Sequence, residues 1–170
     1  MPRFRLQRIN DVTSVSILDE TPGFVRKKRR VGRKGLGLKY EDKVQNHFQS
    51  LYGYEYLPGP WFEYSVRERP KVVNYAQPDG LLIRPQRGLI TIVEIKYSHC
   101  ADSYFQLIDK YLPLCQAFFG TDLWSFALCE VVKWYDRDVS YPTPVRLRDA
   151  VDKTVPNEIG VHICRPDRLK

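Results

Sequence analysis

The 170-residue chain contains no long hydrophobic run and no closely spaced cysteine pair. No apolar stretch approaches the roughly 20 residues that a membrane-spanning helix requires. The opening residues, Met-Pro-Arg-Phe-Arg-Leu, also lack the apolar segment of a secretion signal. The four cysteines (Cys100, Cys115, Cys129 and Cys164) form no C-x-x-C motif, which argues against a zinc site or a disulfide framework. We therefore expect a cytoplasmic protein with reduced core cysteines and no contact with a membrane.

The composition is that of a protein with one hydrophobic core. Hydrophobic residues make up 43% of the chain and aromatic residues 13%. A chain of this length can enclose one core of good size, so one globular domain is the expectation.

Positive charge is concentrated at the N-terminal end of the chain. Residues 1–40 contain 11 Lys or Arg against 3 Asp or Glu, whereas residues 41–170 contain 16 against 17. A dense block of cations repels itself and does not fold alone, but it suits a polyanion because each neutralised phosphate releases a counterion. We therefore predict a basic N-terminal arm, residues 1–37, that contacts DNA; a solubility tail and a nuclear import signal are the alternatives. The predicted DNA-binding cations of this arm are Arg26, Lys27, Lys28, Arg29, Arg30, Arg33 and Lys34.

The middle of the chain predicts two apolar strands joined by a polar turn. The first strand covers residues 78–83, the turn at 84–88 contains Pro85 and Gly88, and the second strand, 89–97, is rich in β-branched residues. The second strand is apolar on both faces, so it should be a central strand covered on both sides. The two strands should pair antiparallel.

Charged residues end the buried stripe of the second strand. Period-two alternation places Glu94 and Lys96 on one face, and a hairpin symmetric about the centre of its turn places Asp79 opposite Glu94. Two neighbouring carboxylates repel each other and favour a cation between them. Mg²⁺ typically uses one or two protein carboxylates with water and substrate phosphates. The alternative is an ordinary salt bridge between Glu94 and Lys96, with Asp79 as a turn residue.

The sequence Pro78-Asp79, fourteen further residues and then Glu94-Ile95-Lys96 resembles the motif of the PD-(D/E)XK nuclease superfamily. The resemblance implies a metal-dependent nuclease that hydrolyses DNA phosphodiester bonds, with an endonuclease favoured over an exonuclease. It implies that Asp79 and Glu94 bind Mg²⁺ or Mn²⁺ together with the carbonyl group of Ile95. It also implies that Lys96 positions the attacking water or helps to deprotonate it.

A helix predicted at residues 38–51 precedes the hairpin and carries Glu41 on its flank. In many members of the resembled superfamily a glutamate of this helix reaches the metal directly or through water, which suggests that role for Glu41. A first-turn glutamate favoured by the helix dipole is the alternative. The apolar stripe expected to pack this helix consists of Leu36, Tyr40, Val44, Phe48 and Leu51.

A second helix is predicted at residues 103–112, with Pro113 kinking or restarting it and Gly120 ending it. Gln106 and Tyr111 resemble the Gln-x-x-x-Tyr motif with which the exonuclease and recombination branch of the superfamily grips DNA, but the spacing is one residue longer. A capping box that Gln106 forms with the start of the helix is the alternative. Lys110, on the polar side of the helix, is a further candidate for DNA contact.

The remaining elements complete the predicted fold. Strands are predicted at residues 61–66, 123–135 and 159–164, loops at 67–71 and 136–144, a short helix at 145–153 and an edge strand or docking segment at 12–18. A strand, a crossover helix and a further strand imply parallel neighbours. The element order over residues 38–135 matches the restriction-endonuclease-like αβββαβ core of the resembled superfamily. We therefore predict an α/β fold with a mixed central sheet flanked by helices, and a nuclease-like domain over residues 38–170.

Two further functions are compatible with the same residues. One is a DNA-binding or assembly module that keeps the fold without catalysis. The other is a phage virion component, such as a head-completion protein or a nuclease that processes DNA ends. DNA is the expected partner in each case, and a larger viral or nucleoprotein assembly is a second expected partner.

Overall fold

The computed structural model describes residues 9–25, 32–98, 101–134 and 159–166 of the chain. The strands are β1 (Val12–Leu18), β2 (Tyr56–Pro58), β3 (Trp61–Val66), β4 (Arg69–Ala76), β5 (Gly80–Arg84), β6 (Leu89–Ser98), β7 (Ser125–Trp134) and β8 (Ile159–Ile163). The helices are α1 (Gly32–Tyr52), α2 (Ala101–Phe105) and α3 (Leu112–Phe119), with a π-helix at Gln106–Tyr111 and 3₁₀ turns at Gly53–Glu55 and Pro85–Arg87. The predicted α/β class is confirmed.

The predicted hairpin, β5 and β6, lies at the centre of the fold. The two strands pair antiparallel, and Gly88 ends the turn between them with φ of 55°, a conformation that glycine adopts without strain. Gly80 pairs with Val93, so one further step along the hairpin brings Asp79 opposite Glu94. The register predicted from the symmetry of the turn is therefore confirmed.

The larger sheet has five strands in the order β2-β5-β6-β7-β8. The pairs β2-β5 and β5-β6 are antiparallel, whereas β6-β7 and β7-β8 are parallel. The central strand β6 has five buried residues and four half-buried ones among its ten, as its apolar pattern predicts. The mixed sheet, the parallel crossover into β7 and the last strand β8 are all confirmed.

The prediction for the strands before the hairpin was partly wrong. Strand β3 forms where a strand was predicted, but it belongs to a separate three-stranded sheet, β1-β3-β4, and the neighbour of β5 is the short strand β2. The turn at Gly59, whose φ is 50°, separates β2 from β3. The loop predicted at residues 67–71 is also wrong from Arg69 onward, because β4 begins there. Residues 69–73 (Arg-Pro-Lys-Val-Val) are all exposed. Their sequence therefore lacks the polar–apolar alternation by which a half-buried strand is predicted.

Ordered structure extends further toward the N-terminus than the predicted helix. Strand β1 pairs antiparallel with β3, which confirms the edge strand at residues 12–18. Helix α1 begins at Gly32, six residues before its predicted start, and runs through the glycines at 35 and 37. Tyr40, Val44 and Phe48 of the predicted stripe are buried, whereas Leu36 and Leu51 at its ends are exposed.

The second helical segment runs from α2 through the π-helix into α3. Pro113 has no N–H group and its ring would clash with the carbonyl group of Asp109 in a regular α-helix. The wider π turn before it avoids that clash, and the Asp109 carbonyl accepts a hydrogen bond from the N–H of Ile9 at 2.8 Å. Gly120 ends α3 with φ of 81°, as predicted. The proline therefore changes the winding of the segment, and the freed carbonyl group binds the chain just before β1.

Two hydrophobic clusters lie on opposite faces of the larger sheet. One contains Ile92 of β6 and Leu107 of the π-helix, and the other contains Val93 of β6 and Val44 of α1. Because side chains alternate along a strand, Glu94 lies on the face of β6 that is covered by the π-helix.

Several predictions fall outside the described residues. They concern the loop at 136–144, the helix at 145–153, Cys100 and the basic residues 26–30. Cys115, Cys129 and Cys164 form no disulfide bond within the described part of the chain, and Cys115 and Cys164 are buried. Within the described ranges, no helix is both long and apolar enough to cross a membrane.

Candidate active site

The motif residues come together where β5 begins and the second half of β6 passes it. Asp79 directly precedes β5, while Glu94, Ile95 and Lys96 follow one another in β6. The antiparallel register brings Asp79 to this part of β6, and its carboxylate oxygen Oδ2 accepts a hydrogen bond from the Ile95 N–H at 2.5 Å. One hairpin therefore holds the two carboxylates close together, Asp79 just before β5 and Glu94 in β6.

Glu94 is a buried carboxylate whose two oxygens have different surroundings. Only 2% of the residue is exposed. Its Oε1 accepts a hydrogen bond from Lys96 Nζ, whereas its buried Oε2 has no hydrogen-bond partner among the described residues. Burial raises the pKa of Glu94, the neighbouring Lys96 opposes that rise, and the negative charge of Glu41 adds to it. An ionised Glu94 would thus gain from a further cation at Oε2.

Glu41 of α1 lies within electrostatic range of this carboxylate pair. Its charge raises the pKa of Glu94, and it contributes, after burial and the charge of Asp79, to the raised pKa of Tyr56. Helix α1 packs against the sheet through Val44, one helical turn beyond Glu41. The fold therefore brings the third predicted carboxylate toward Asp79 and Glu94.

The π-helix brings Lys110 and Tyr111 to the same region. The Lys110 ammonium group lies 5.4 Å from the centre of the Tyr111 ring. Burial lowers the pKa of Lys110 while Glu94 raises it, and burial followed by the charges of Glu94, Asp79 and Glu41 raises the pKa of Tyr111. A second lysine thus stands near the buried carboxylate, in addition to Lys96.

The π winding determines how far apart Gln106 and Tyr111 lie along the helix. A π-helix closes its hydrogen bond over five residues where an α-helix uses four, so residues five apart in it correspond to residues four apart in an α-helix. Gln106 and Tyr111 are the first and last residues of the π-helix. The buried Oε1 of Gln106 has no hydrogen-bond partner in the part of the chain that the structure describes. The capping box considered for Gln106 is not seen, because α2 begins at Ala101 and Gln106 lies well inside the helical segment.

Glu130 of β7 is a further buried carboxylate and was not among the predicted residues. It is 2% exposed, lies beside Glu94 in the parallel pairing of β6 and β7, and accepts a hydrogen bond from Ser103 Oγ at 2.6 Å. Alternation from Phe126 and Leu128 would have predicted its inward direction. Glu130 is therefore a second buried acidic side chain, in register with Glu94 on the neighbouring strand.

A second feature that was not predicted is a set of hydrogen bonds around the backbone carbonyl group of Asp79. The Asp79 carbonyl oxygen accepts hydrogen bonds from the Gly59 N–H at 2.9 Å and from Gln45 Nε2. The Tyr56 hydroxyl donates to Gln45 Oε1 at 2.6 Å and lies 3.5 Å from the same carbonyl oxygen. These bonds connect residues that are 11 to 34 positions apart in the chain, so no local sequence pattern predicts them.

The donors present fit a hard divalent cation held by few protein ligands. Across the described residues, no three His, Cys, Asp or Glu side chains form a ready metal-binding group. Mg²⁺ does not require one, because it is commonly bound by one or two carboxylates with waters and substrate phosphates completing its shell. The buried, unpartnered Oε2 of Glu94 is the observation that favours a cation.

The predicted DNA-binding cations are only partly described. Arg26, Lys27, Lys28, Arg29 and Arg30 lie outside the described residues. Arg33 and Lys34 belong to the first turn of α1, where the structure describes the backbone.

The comparisons with known proteins add no assignment. No protein-family model, no curated protein and no solved structure matches the chain.

Proposed function

We propose that the chain is a metal-dependent nuclease that hydrolyses DNA phosphodiester bonds. The observation that carries the proposal is the buried Glu94 carboxylate, which has one oxygen bound to Lys96 and the other without a partner among the described residues. Asp79, just before the paired strand, lies beside it. A buried carboxylate in this state is unfavourable unless a cation compensates it. The resemblance to the PD-(D/E)XK nuclease superfamily supports the same conclusion.

The motif residues have separate roles in this proposal. Asp79, Glu94 and the Ile95 carbonyl group hold Mg²⁺ or Mn²⁺, and Glu41 assists directly or through a water molecule. When bound, the cation supplies Lewis-acid stabilisation of the pentacoordinate phosphate and lowers the pKa of the attacking water. Lys96, fixed against Glu94 Oε1, positions that water and helps to remove its proton.

The remaining candidates bind the substrate. Lys110 and Gln106 of the π-helix contact the DNA backbone near the reacting phosphate, since Lys110 lies close enough to Glu94 to interact with its charge. The cations of residues 26–34 contact phosphates further along the duplex. The protein acts in the cytoplasm or, if it is phage-encoded, in a virion.

The direct test is cleavage of linear, circular and branched DNA with Mg²⁺, with Mn²⁺ and with a chelator. We expect cleavage with either metal ion and none with the chelator. Cleavage of covalently closed circular DNA identifies an endonuclease, because an exonuclease requires a free end. Matched RNA substrates determine whether the preference is for DNA. Cleavage that persists in excess chelator would contradict the proposal.

A second candidate function is a DNA-binding or assembly module without catalysis. One observation favours it: the Asp79 carboxylate is bonded to the Ile95 N–H and Glu94 to Lys96, so both groups already have partners inside the protein. Such a module would bind DNA equally well with and without divalent ions and would leave every substrate intact.

A further inference from the structure

The peptide group that follows Asp79 is held more tightly than strand pairing requires. Its carbonyl oxygen accepts the Gly59 N–H at 2.9 Å and the Gln45 Nε2 group, although β2 and β5 pair only from Gly80 onward. Tyr56 fixes the direction of the Gln45 amide, because its hydroxyl donates to Gln45 Oε1 at 2.6 Å and leaves Nε2 for the carbonyl group.

Tyr56 is itself held in one position. Only 2% of it is exposed, and its ring rests on Gly80, where a Cβ atom would lie 2.6 Å from two carbons of the ring. The hydroxyl of this fixed ring is therefore held within hydrogen-bond distance of Gln45 Oε1, at 2.6 Å.

We propose that Gln45 and Tyr56 are positioning residues which fix the peptide after Asp79, and thereby hold the Asp79 carboxylate where it can share a cation with Glu94. The inference rests on the proposed nuclease function and adds to it a support for the metal ligand. Fixing the carbonyl group of a residue restricts its ψ angle, and ψ together with the bond from the Ile95 N–H to Oδ2 determines where the side chain points. Outer groups that orient a metal ligand commonly change metal affinity or activity by about 10- to 100-fold when they are removed.

The contacts of α1 separate this role from simple packing. The helix is anchored on the sheet by its buried apolar residues, Tyr40, Val44 and Phe48. Gln49, one turn beyond Gln45, makes the same type of bond, from its Nε2 to the Gly53 carbonyl oxygen at 2.7 Å. Gln49 is exposed and its bond closes a turn at the end of the helix, away from Asp79. Gln49 therefore provides a matched control.

The test compares Gln45→Met with Gln49→Met in the full chain. Methionine keeps the length and helix propensity of glutamine but removes its hydrogen bonds. The first readout is calorimetric titration of each metal-free protein with Mn²⁺, and the second is kcat and KM for DNA across a Mg²⁺ series. We expect Gln45→Met to weaken Mn²⁺ binding about 10-fold or more and to lower kcat with little change in KM for DNA. Gln49→Met should match the wild type in both readouts.

A third variant, Tyr56→Phe, tests the same role independently in case Gln45→Met does not fold. Tyr56→Phe keeps the buried ring and removes only the hydroxyl that orients the amide, so it should weaken Mn²⁺ binding in the same direction by a smaller factor. Equal Mn²⁺ affinity in Gln45→Met, Tyr56→Phe and Gln49→Met would overturn the positioning role.

The inference and the proposed function fail in different ways. A wild type that binds Mn²⁺ but cleaves no nucleic acid would contradict the nuclease, and the calorimetric comparison of the variants would still test the positioning role. A wild type that binds no divalent ion would overturn both. Cleavage by the wild type with unchanged Mn²⁺ affinity in the Gln45 and Tyr56 variants would overturn the positioning role alone.

Discussion

At the scale of single residues, the hairpin contains a charged side chain whose burial is costly. Glu94 is buried and its pKa is raised, although Lys96 is bonded to one of its oxygens. Glu130 lies beside it on β7 and is equally buried. A protein selected for stability alone would do better with apolar residues at such positions, because burying a charge is costly even when it is paired. The cation proposed for this site would offset that cost at Glu94.

The first prediction concerns the two carboxylates of the motif. Asp79→Asn and Glu94→Gln should each reduce metal-dependent cleavage to less than about one hundredth of the wild-type rate, because each removes a charged ligand without changing side-chain size. The free energy of unfolding of the metal-free protein should change by no more than about 1 kcal/mol, since the amide oxygen of the new asparagine can still accept the Ile95 N–H. Cleavage rates and urea unfolding with and without Mg²⁺ measure both quantities.

A control and a second readout accompany this prediction. Glu68→Gln removes an exposed carboxylate in the turn between β3 and β4 and should behave as the wild type. Saturating Mg²⁺ should stabilise the wild type and Glu68→Gln, by about 2.7 kcal/mol at 100 times the dissociation constant, but not the two site variants. Normal cleavage by Asp79→Asn or by Glu94→Gln, where chelator stops the wild type, would remove the substituted residue from the proposed metal site.

The second prediction separates chemistry from binding at Lys96. Its ammonium group is bonded to Glu94 Oε1, and about a quarter of its side chain, 27%, is exposed. Lys96→Ala should lower kcat by about 100-fold or more, in the range of general acid–base groups, while DNA affinity measured in Ca²⁺ falls no more than about threefold, as one phosphate contact among several. Lys71→Ala, which removes an exposed lysine of β4, is the control. Equal losses of affinity and kcat would make Lys96 a binding residue.

At the scale of secondary-structure elements, the hairpin could be predicted because its information is local. The apolar pattern of residues 89–97 and the turn at Pro85 and Gly88 determine both the strands and their register. The positions of β3 and β4 could not be predicted, since nothing in a strand's own sequence states which sheet it joins. The π-helix could not be predicted for a similar reason. Pro113 indicates a break in the α-helix, but the carbonyl group of Asp109 that is freed there is bonded by the N–H of Ile9, about a hundred residues earlier in the chain.

The site residues divide in the same way. Asp79, Glu94 and Lys96 follow from strand alternation and hairpin symmetry, and alternation in β7 would also have identified Glu130. Gln45 and Tyr56 act through bonds to the Asp79 backbone, which join α1 and β2 to the start of β5. Contacts of this kind depend on the packing of a helix on a sheet and require coordinates.

The third prediction tests the packing of β2 against β5. A Cβ atom at Gly80 would lie 2.6 Å from two ring carbons of Tyr56 and closer still to its hydroxyl oxygen, so the buried ring would have to move. Gly80→Ala should therefore lower the free energy of unfolding by about 1–3 kcal/mol and reduce Mn²⁺ affinity, because the displaced ring loses its bond to Gln45. Urea unfolding and calorimetry measure the two effects.

Gly160→Ala is the matched control for this prediction. Gly160 lies in β8 of the same sheet, and its nearest contact for a new Cβ atom is the Leu128 carbonyl oxygen at 3.8 Å, an ordinary van der Waals distance. It should change the free energy of unfolding by less than about 1 kcal/mol. Similar stability of the two variants would show that the Tyr56 ring can move freely, and would weaken the positioning role of that residue.

At the scale of the whole molecule, the region that carries the positive charge does not coincide with a region outside the fold. The positive excess lies in residues 1–40, whereas residues 41–170 carry 16 basic against 17 acidic side chains. Yet β1, within the first region, is part of the smaller sheet, and the N–H of Ile9 binds Asp109. Removing the whole N-terminal region would therefore disturb the fold, and a test of its charge has to keep residues 9–25 in place.

The last prediction replaces the five cations at 26–30 by serine and leaves β1 intact. DNA affinity should fall, because residues 41–170 have no positive excess to replace the lost cations. It should fall similarly for all DNA sequences, because contacts to phosphates do not read the bases. The slope of log affinity against log salt should flatten by about 0.9 for each phosphate that is no longer neutralised, or about 4 to 5 if all five cations meet phosphates. The control neutralises three exposed cations, Arg67 in the turn after β3 and Arg69 and Lys71 at the start of β4, and should flatten the slope by less than about 1. Cleavage at low salt should persist in both variants, since neither touches Asp79 or Glu94. An unchanged slope in the five-site variant would assign these cations to an assembly partner and would favour the virion component over the free nuclease.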